Sequence, residues 1–407
     1  MLSKPKPRLL CVWEQGSNLG HLSKLRLPIE IALQLGYDVF VAARELNQVP
    51  EVLGGLPITY LQAPFKQNVA PADQRAFQSY THLILRQCFS TPVELEMLAR
   101  AWRALFDLVQ PDVVLYEHAP TALVASHAYR FKKVLVGSGF AVPPVEDGQA
   151  GPFAPFFTTP RTADVMAALR ADDALLLALI NTGLARVGVP QLPSLARIYT
   201  QADQRFLMTL PQLDHFGERS GQHYLGVGPP AAQPAPHWPP GTGQKVFGYL
   251  QHIPSLEKLL QDLLAAGACA LLVVRNLPPE LKRAYTSDQM HFSETLVDLS
   301  QVAKEAAWAI NHANINTATV FVKAGIPQLL IPRHQEQLFV ALRMVDHGSA
   351  VLAYQDQPGF AKEIDALLTQ ARYRECAVQL QAQCAATGLT DAAGFIRKSL
   401  NDWMPRS

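Results

Sequence analysis

The sequence predicts an α/β protein built from two doubly wound, Rossmann-like domains. Three observations carry that prediction: short apolar runs alternate with amphipathic stretches, the alternation occurs twice, and a proline-rich segment separates the two series. Strands alternating with helices at this spacing form parallel sheets with helices packed on their faces. A chain of 407 residues is also longer than one ordinary core accommodates.

In the first series, residues 9–13 read as a strand, 22–35 as a helix, and 39–42 as a second strand after Gly36-Tyr37-Asp38. Residues 58–62 add a further strand. The pattern continues with a helix over 100–109, a strand over 113–116, a helix over 119–129 and a strand over 134–136. Residues 143–160 are rich in Pro, Gly and Phe and read as a long loop over a cleft, since long ordered loops tend to be functional. A helical insertion over 162–188 follows.

The boundary lies at 228–241, where repeated proline forbids helix and central strand and stiffens the chain into a linker. The second series then runs strand 246–250, helix 256–266, strand 270–274, strand 307–311, helix 317–323 and strand 328–331. The domains are thus expected at 1–228 and 242–387, with a linker over 229–241 and a separate closing stretch over 388–407. Two such halves are expected to leave a cleft at the carboxyl ends of their strands, the binding region of such sheets.

Composition excludes several function classes. The net charge of +1, without clustered Lys and Arg, gives no electrostatic case for nucleic acid. Cys11, Cys88, Cys269, Cys376 and Cys384 are scattered and lack metal-ligand spacing, which points to a reduced, cytoplasmic setting. The amino-terminal residues lead into a strand rather than the apolar stretch of a signal peptide. No apolar run approaches the ~20 residues of a membrane span. A soluble protein follows, with peripheral membrane contact left open.

One stretch concentrates chemistry: Asn311-His312-Ala313-Asn314-Ile315-Asn316-Thr317, then Ala324-Gly325-Ile326-Pro327 and Pro332-Arg333-His334-Gln335-Glu336-Gln337. A strand that delivers the chain into a helix start creates an anion site, because the first helical N–H groups have no internal partners. The polar cluster ending in Glu336-Gln337 should lie at the same sheet edge. The pair offers acceptors and donors suited to vicinal hydroxyls.

With these residues placed, the chain resembles GT-B fold glycosyltransferases of the nucleotide-sugar-dependent family 1 type, and especially bacterial nucleotide-diphospho-sugar-binding proteins of that UDP-glycosyltransferase-like group. The resemblance rests on Trp13-Glu14-Gln15-Gly16-Ser17-Asn18-Leu19-Gly20-His21-Leu22, similar to a glycine-rich turn ending in Gly-His. It rests also on Pro111 through His118, with an acidic residue at Glu117, and on His312 through Gln337, similar to a His-Gly-Gly-x-Gly-Thr turn and its later acidic-Gln pair. The turn glycines are here Ala313, Asn314 and Asn316. Asn tolerates left-handed geometry, so the turn is expected to survive through those residues.

The resemblance implies an inverting, metal-independent hexosyltransferase that moves sugar from a nucleotide diphosphate sugar to a hydroxyl of a small, apolar acceptor. A UDP- or dTDP-sugar would be co-substrate, no cofactor would be needed, and the last helix would pack back on the first domain. His21 is the implied base and Glu117 its orienter. His312, Asn316, Thr317, Glu336 and Gln337 are implied donor contacts, with Arg333 offsetting charge and Gly16, Ser17 and Asn18 forming a donor or acceptor loop. The competing structural readings are a helix-start His21, a capping or surface Glu117, a His312 satisfied by backbone, and Asn314 and Asn316 as helix caps. Phe153, Phe156 and Phe157 either line the acceptor pocket or pin their loop to the core. At the level of the whole chain, the alternatives are a non-catalytic nucleotide-sugar or glycan binder and a sugar-nucleotide epimerase or hydrolase on the same fold.

Overall fold

The computed structural model of the chain describes residues 6–16, 19–67, 77–146, 148, 151–228 and 233–404. Ser17 and Asn18 of the expected loop lie outside the described residues, as do residues 229–232 of the proline-rich segment. The chain forms two compact units. One comprises Met1–Thr209, Ser220–Gly226 and Leu389–Ser407, the other Leu210–Arg219 and Val227–Gly388.

The first unit contains strands β1 (Arg8–Trp13), β2 (Asp38–Ala43), β3 (Thr59–Gln62), β4 (Val113–Glu117), β5 (Lys132–Gly137) and β6 (Gln204–Leu207). They form one sheet in the order β3-β2-β1-β4-β5-β6, with parallel pairing throughout. The central strands are nearly continuous apolar runs because helices cover both faces of such a sheet. The strand order reverses between β1 and β4, where Trp13 pairs with Glu117.

Helix α1 (Leu19–Gln34) follows β1 and buries Leu22, Leu25 and Ile29 against the sheet. Helix α2 (Pro92–Val109) starts eight residues before its apolar pattern suggests, because the Thr91 hydroxyl accepts the Glu94 N–H at 3.1 Å and caps it. Helix α3 (Pro120–Ala125) is shorter than expected, and the chain turns left-handed at Ala128 soon after it. The helical insertion is α4 (Ala163–Arg186), capped by Thr162. The aromatic loop before it is fastened to the core. Phe153 and Phe156 are buried and join Tyr80, Phe140 and Tyr199 in one ring cluster, and Phe157 is half-buried.

The second unit repeats the topology with β7 (Lys245–Gln251), β8 (Cys269–Arg275), β9 (Met290–Phe292), β10 (Trp308–Asn311), β11 (Gln328–Leu330) and β12 (Ala350–Leu352). Their order is β12-β11-β10-β7-β8-β9, again parallel, with the reversal between β7 and β10. Two apolar clusters cover the two sheet faces, one around Leu256, Leu260 and Trp308, the other around Phe247, Phe321 and Val302. Helix α5 (Ile315–Lys323) follows β10, and α6 (Gln335–Asp346) follows β11. The closing helix α7 (Ala392–Asp402) belongs to the first unit. Its Ile396 and Leu400 share the core with α1, and the Tyr37 hydroxyl donates to the Leu400 carbonyl at 2.7 Å.

Strands β6, β9 and β12 were not anticipated. They have four residues or fewer and lie at sheet edges, too short to display a period. Among the described residues no helix is long and apolar enough to cross a membrane.

Candidate functional site

In open parallel sheets ligands bind beyond the carboxyl ends of the strands, where the strand order reverses. In the first unit that point lies between β1 and β4. Glu117 is the last residue of β4 rather than one just beyond it, and its carboxylate is wholly buried. Its Oε2 accepts the His21 Nδ1–H at 2.7 Å, and its Oε1 accepts from Lys24 Nζ at 3.2 Å. His21 and Lys24 are both buried and lie one turn apart on the same face of α1. Burial alone would raise the Glu117 carboxyl. Its contacts with His21, including the hydrogen bond, and with Lys24 outweigh burial and hold it below the usual carboxylate range.

The imidazole stacks on Trp13 with ring centres 5.4 Å apart. Gly16 lies against its other nitrogen: a β-carbon at that position would fall 2.2 Å from His21 Nε2. The backbone there is also left-handed, with φ +85°. Glycine is required on both counts, which gives Gly16 a specific place beside the expected base. With Nδ1–H committed to a carboxylate, the lone pair remains on Nε2, the arrangement of an oriented base.

Sequence reasoning missed two residues here. Lys24 was recognisable only by its spacing from His21. Glu14, one residue past β1, is also buried, and its carboxylate accepts the Thr121 N–H at 2.9 Å, the Ala122 N–H at 3.2 Å, the Thr121 hydroxyl and a Gln15 amide N–H. It occupies the start of α3. Burial raises its carboxyl to about 7 in spite of these donors. The Gln15 N–H donates to the His118 carbonyl at 2.9 Å, and His118 takes a left-handed φ of 42°. These bonds tie the β1 loop to the turn that follows Glu117.

In the second unit the reversal lies between β7 and β10. His312 follows β10, and both ring nitrogens serve the backbone. Nδ1–H donates to the Ile331 carbonyl at 2.6 Å, and Nε2 accepts the Gln251 N–H at 2.8 Å. Burial, chiefly, lowers its pKa to about 4, so the ring is neutral. A ring so engaged clasps the ends of β7 and β11.

The left-handed residue of the turn is Ala313, at φ 60°, and not Asn314 or Asn316. The Asn311 side chain supports it by accepting the Ala313 N–H at 2.8 Å while donating to Gln328 at 2.8 Å. Asn314 occupies the cap position of α5, yet its side chain caps nothing. It accepts instead from Gln337 Nε2 at 2.9 Å, and Gln337 Oε1 accepts the Arg333 N–H at 2.8 Å. Gln337 is therefore buried and occupied at both ends of its amide. Asn316 and Thr317 lie in the first turn of α5, which starts two residues earlier than expected. Glu336 lies in the first turn of α6, its carboxylate 4.0 Å from the buried His215 ring. The Arg333 guanidinium donates to the Gln251 side chain. Among the described residues, the side chains bonded beside the α5 start include the neutral amides of Asn314 and Gln337. Among the described residues no group of three His, Cys, Asp or Glu side chains is placed to hold a metal.

No protein-family model matches the chain. Glycosyltransferase GtfC of Amycolatopsis orientalis is 35% identical over 119 residues, which span 28% of this chain and 28% of that relative. Among solved structures, glycosyltransferase VinC in complex with dTDP matches with a TM-score of 0.64 at 15% identity, covering 97% of this chain and 100% of that one. Spinosyn rhamnosyltransferase SpnG complexed with spinosyn aglycone matches with a TM-score of 0.61 at 18% identity, covering 96% and 99%. Together with the two parallel sheets, these likenesses establish the GT-B fold.

Proposed function

We propose that the chain is an inverting glycosyltransferase that moves a hexosyl group from a nucleoside diphosphate sugar to a hydroxyl of a small, apolar acceptor. The carrying observation is the buried His21–Glu117 pair at 2.7 Å with the Nε2 side of the ring left beside Gly16. In the reaction, His21 Nε2 takes the proton of the acceptor hydroxyl as that oxygen attacks the anomeric carbon. The new carbon–oxygen bond forms opposite the breaking bond to the diphosphate, so the configuration inverts. Glu117 orients the ring and stabilises the imidazolium.

The donor is assigned to the second unit. The start of α5, with Asn316 and Thr317 in its first turn, would stabilise the departing diphosphate through its N–H groups and dipole, without a metal ion. Glu336 would accept hydroxyls of the donor sugar, and Arg333 would offset phosphate charge. Gln337 and His312 would act through the framework they hold rather than by direct contact. A uridine or thymidine diphosphate sugar is the expected donor, and the dTDP complex of the structurally similar VinC supports the latter base.

Thermal unfolding against nucleoside diphosphates and their sugars tests the donor half. A ligand at a hundred times its dissociation constant adds about 2.7 kcal/mol of stability. Absence of a shift with every nucleotide at millimolar concentration would overturn the reading. With a binding nucleotide known, acceptor screens follow, and the anomeric configuration of the product decides inversion. Nucleotide release or an epimerised sugar without added acceptor would favour a hydrolase or epimerase instead.

A further inference from the structure

The Glu117 carboxylate has two occupied oxygens, and only one of them serves His21. The other accepts from Lys24, a lysine whose side chain is 6% exposed. Lysine is rarely so buried without a specific partner. We propose that Lys24 is a positioning residue that sets the tautomer of His21, keeping the proton on Nδ1 and the lone pair on Nε2. This rests on the reading of His21 as the base.

The argument follows from charge compensation. A carboxylate with no solvent exposure is stable as an anion only when cations or several donors surround it. The groups that face it are His21 and Lys24 from α1 and His118 from the following turn, whose ring centre is 6.0 Å from that of His21. Among the described residues, Lys24 is the permanent cation in hydrogen-bond contact with it. An ionised Glu117 only accepts, so the hydrogen bond to His21 must place the proton on Nδ1. Without Lys24, burial would drive Glu117 towards its neutral form. A neutral carboxyl O–H would donate to Nδ1, and the ring would then carry its proton on Nε2. That tautomer has no lone pair on the side beside Gly16.

Nitrogen-15 spectra of the full-length protein labelled at histidine test this without any substrate. The His21 signals are identified by their disappearance in His21→Gln, and tautomers are read from long-range proton–nitrogen correlations at pH 8. In the unsubstituted protein Nδ1 is expected to carry the proton. In Lys24→Met the population should move to the Nε2–H form, and Lys24→Arg should restore the original pattern. Lys24→Gln, which keeps a donor but no charge, should behave like Lys24→Met and covers the case in which that variant does not fold. If both uncharged variants keep the proton on Nδ1, the proposal is wrong.

A parallel assay separates this inference from the function it rests on. Should His21→Asn retain turnover while Lys24 still sets the tautomer, the base assignment fails and the tautomer assignment stands. In an active enzyme Lys24→Met should lower kcat at least about 100-fold with nucleotide affinity unchanged, since the wrong tautomer disables a histidine base.

Discussion

The turn after β4 and the turn after β10 occupy equivalent places in the two sheets and solve their polar problem in opposite ways. Each delivers its strand into a helix through a left-handed residue that is not glycine, His118 in one and Ala313 in the other. In the first unit the surrounding groups are ionisable: Glu117 with His21 and Lys24, and Glu14 filling the start of α3. In the second unit the supporting groups are neutral amides from Asn311, Gln328, Asn314 and Gln337, and the Asn314 side chain makes no cap bond to α5. A helix start that already holds a carboxylate cannot accept a second anion at little cost. One whose cap side chain is spent on a neutral amide can. On the proposed function, the same topology yields one turn assigned to proton transfer and one assigned to diphosphate.

The largest effect that would sharpen this contrast is on turnover. His21→Asn and Glu117→Gln should each reduce kcat by roughly three orders of magnitude, while nucleotide-induced thermal shifts stay unchanged. Equal loss of nucleotide binding in these variants would break the division of labour between the two turns.

The second effect concerns pH and belongs to the amide side. Burial depresses the His312 pKa to about 4 from an ordinary 6.5. Above pH 6.5 the ring is neutral in folded and unfolded chains, and its contribution is complete. Between 6.5 and 4 the unfolded chain binds a proton that the folded chain refuses, so stability falls as pH falls, by roughly 3 kcal/mol across that span. Urea unfolding at several pH values should show this slope. It should be reduced in His312→Gln, whose amide can still donate to Ile331 and accept from Gln251.

Gly16→Ala comes third and probes the ionisable side. The added β-carbon would meet His21 Nε2 and a left-handed backbone, so stability should fall by roughly 2 kcal/mol and turnover with it. Turnover retained in that variant would place the working face of the imidazole elsewhere.

Much of the fold was legible in the sequence because long apolar runs and a proline-rich break are local signals. His21 and Glu117 were legible through the motif resemblance, although no local pattern brings together residues 96 positions apart. Lys24 and Glu14 escaped notice because a charged residue in a pattern of this kind reads as solvated, and only the tertiary structure buries it. The β10 turn was misread for a related reason. Asn was expected to take the left-handed position, whereas Asn311 supports that conformation from two residues away, through a side-chain bond that no backbone propensity records.

That misreading leads to the smallest and most local test. An L-residue in left-handed geometry costs roughly 1–2 kcal/mol relative to ordinary conformations, and glycine escapes the penalty. If the Asn311 side chain offsets that strain, Asn311→Ala should destabilise the protein by roughly 1–2 kcal/mol in urea unfolding. The loss should shrink when Ala313→Gly is already present, because the turn no longer depends on the side-chain bond. Additive effects in that double-mutant cycle would mean that the amide and the left-handed alanine are independent. The left-handed conformation would then owe nothing to Asn311, and the contrast between the two turns would rest on the Asn314 and Gln337 amides.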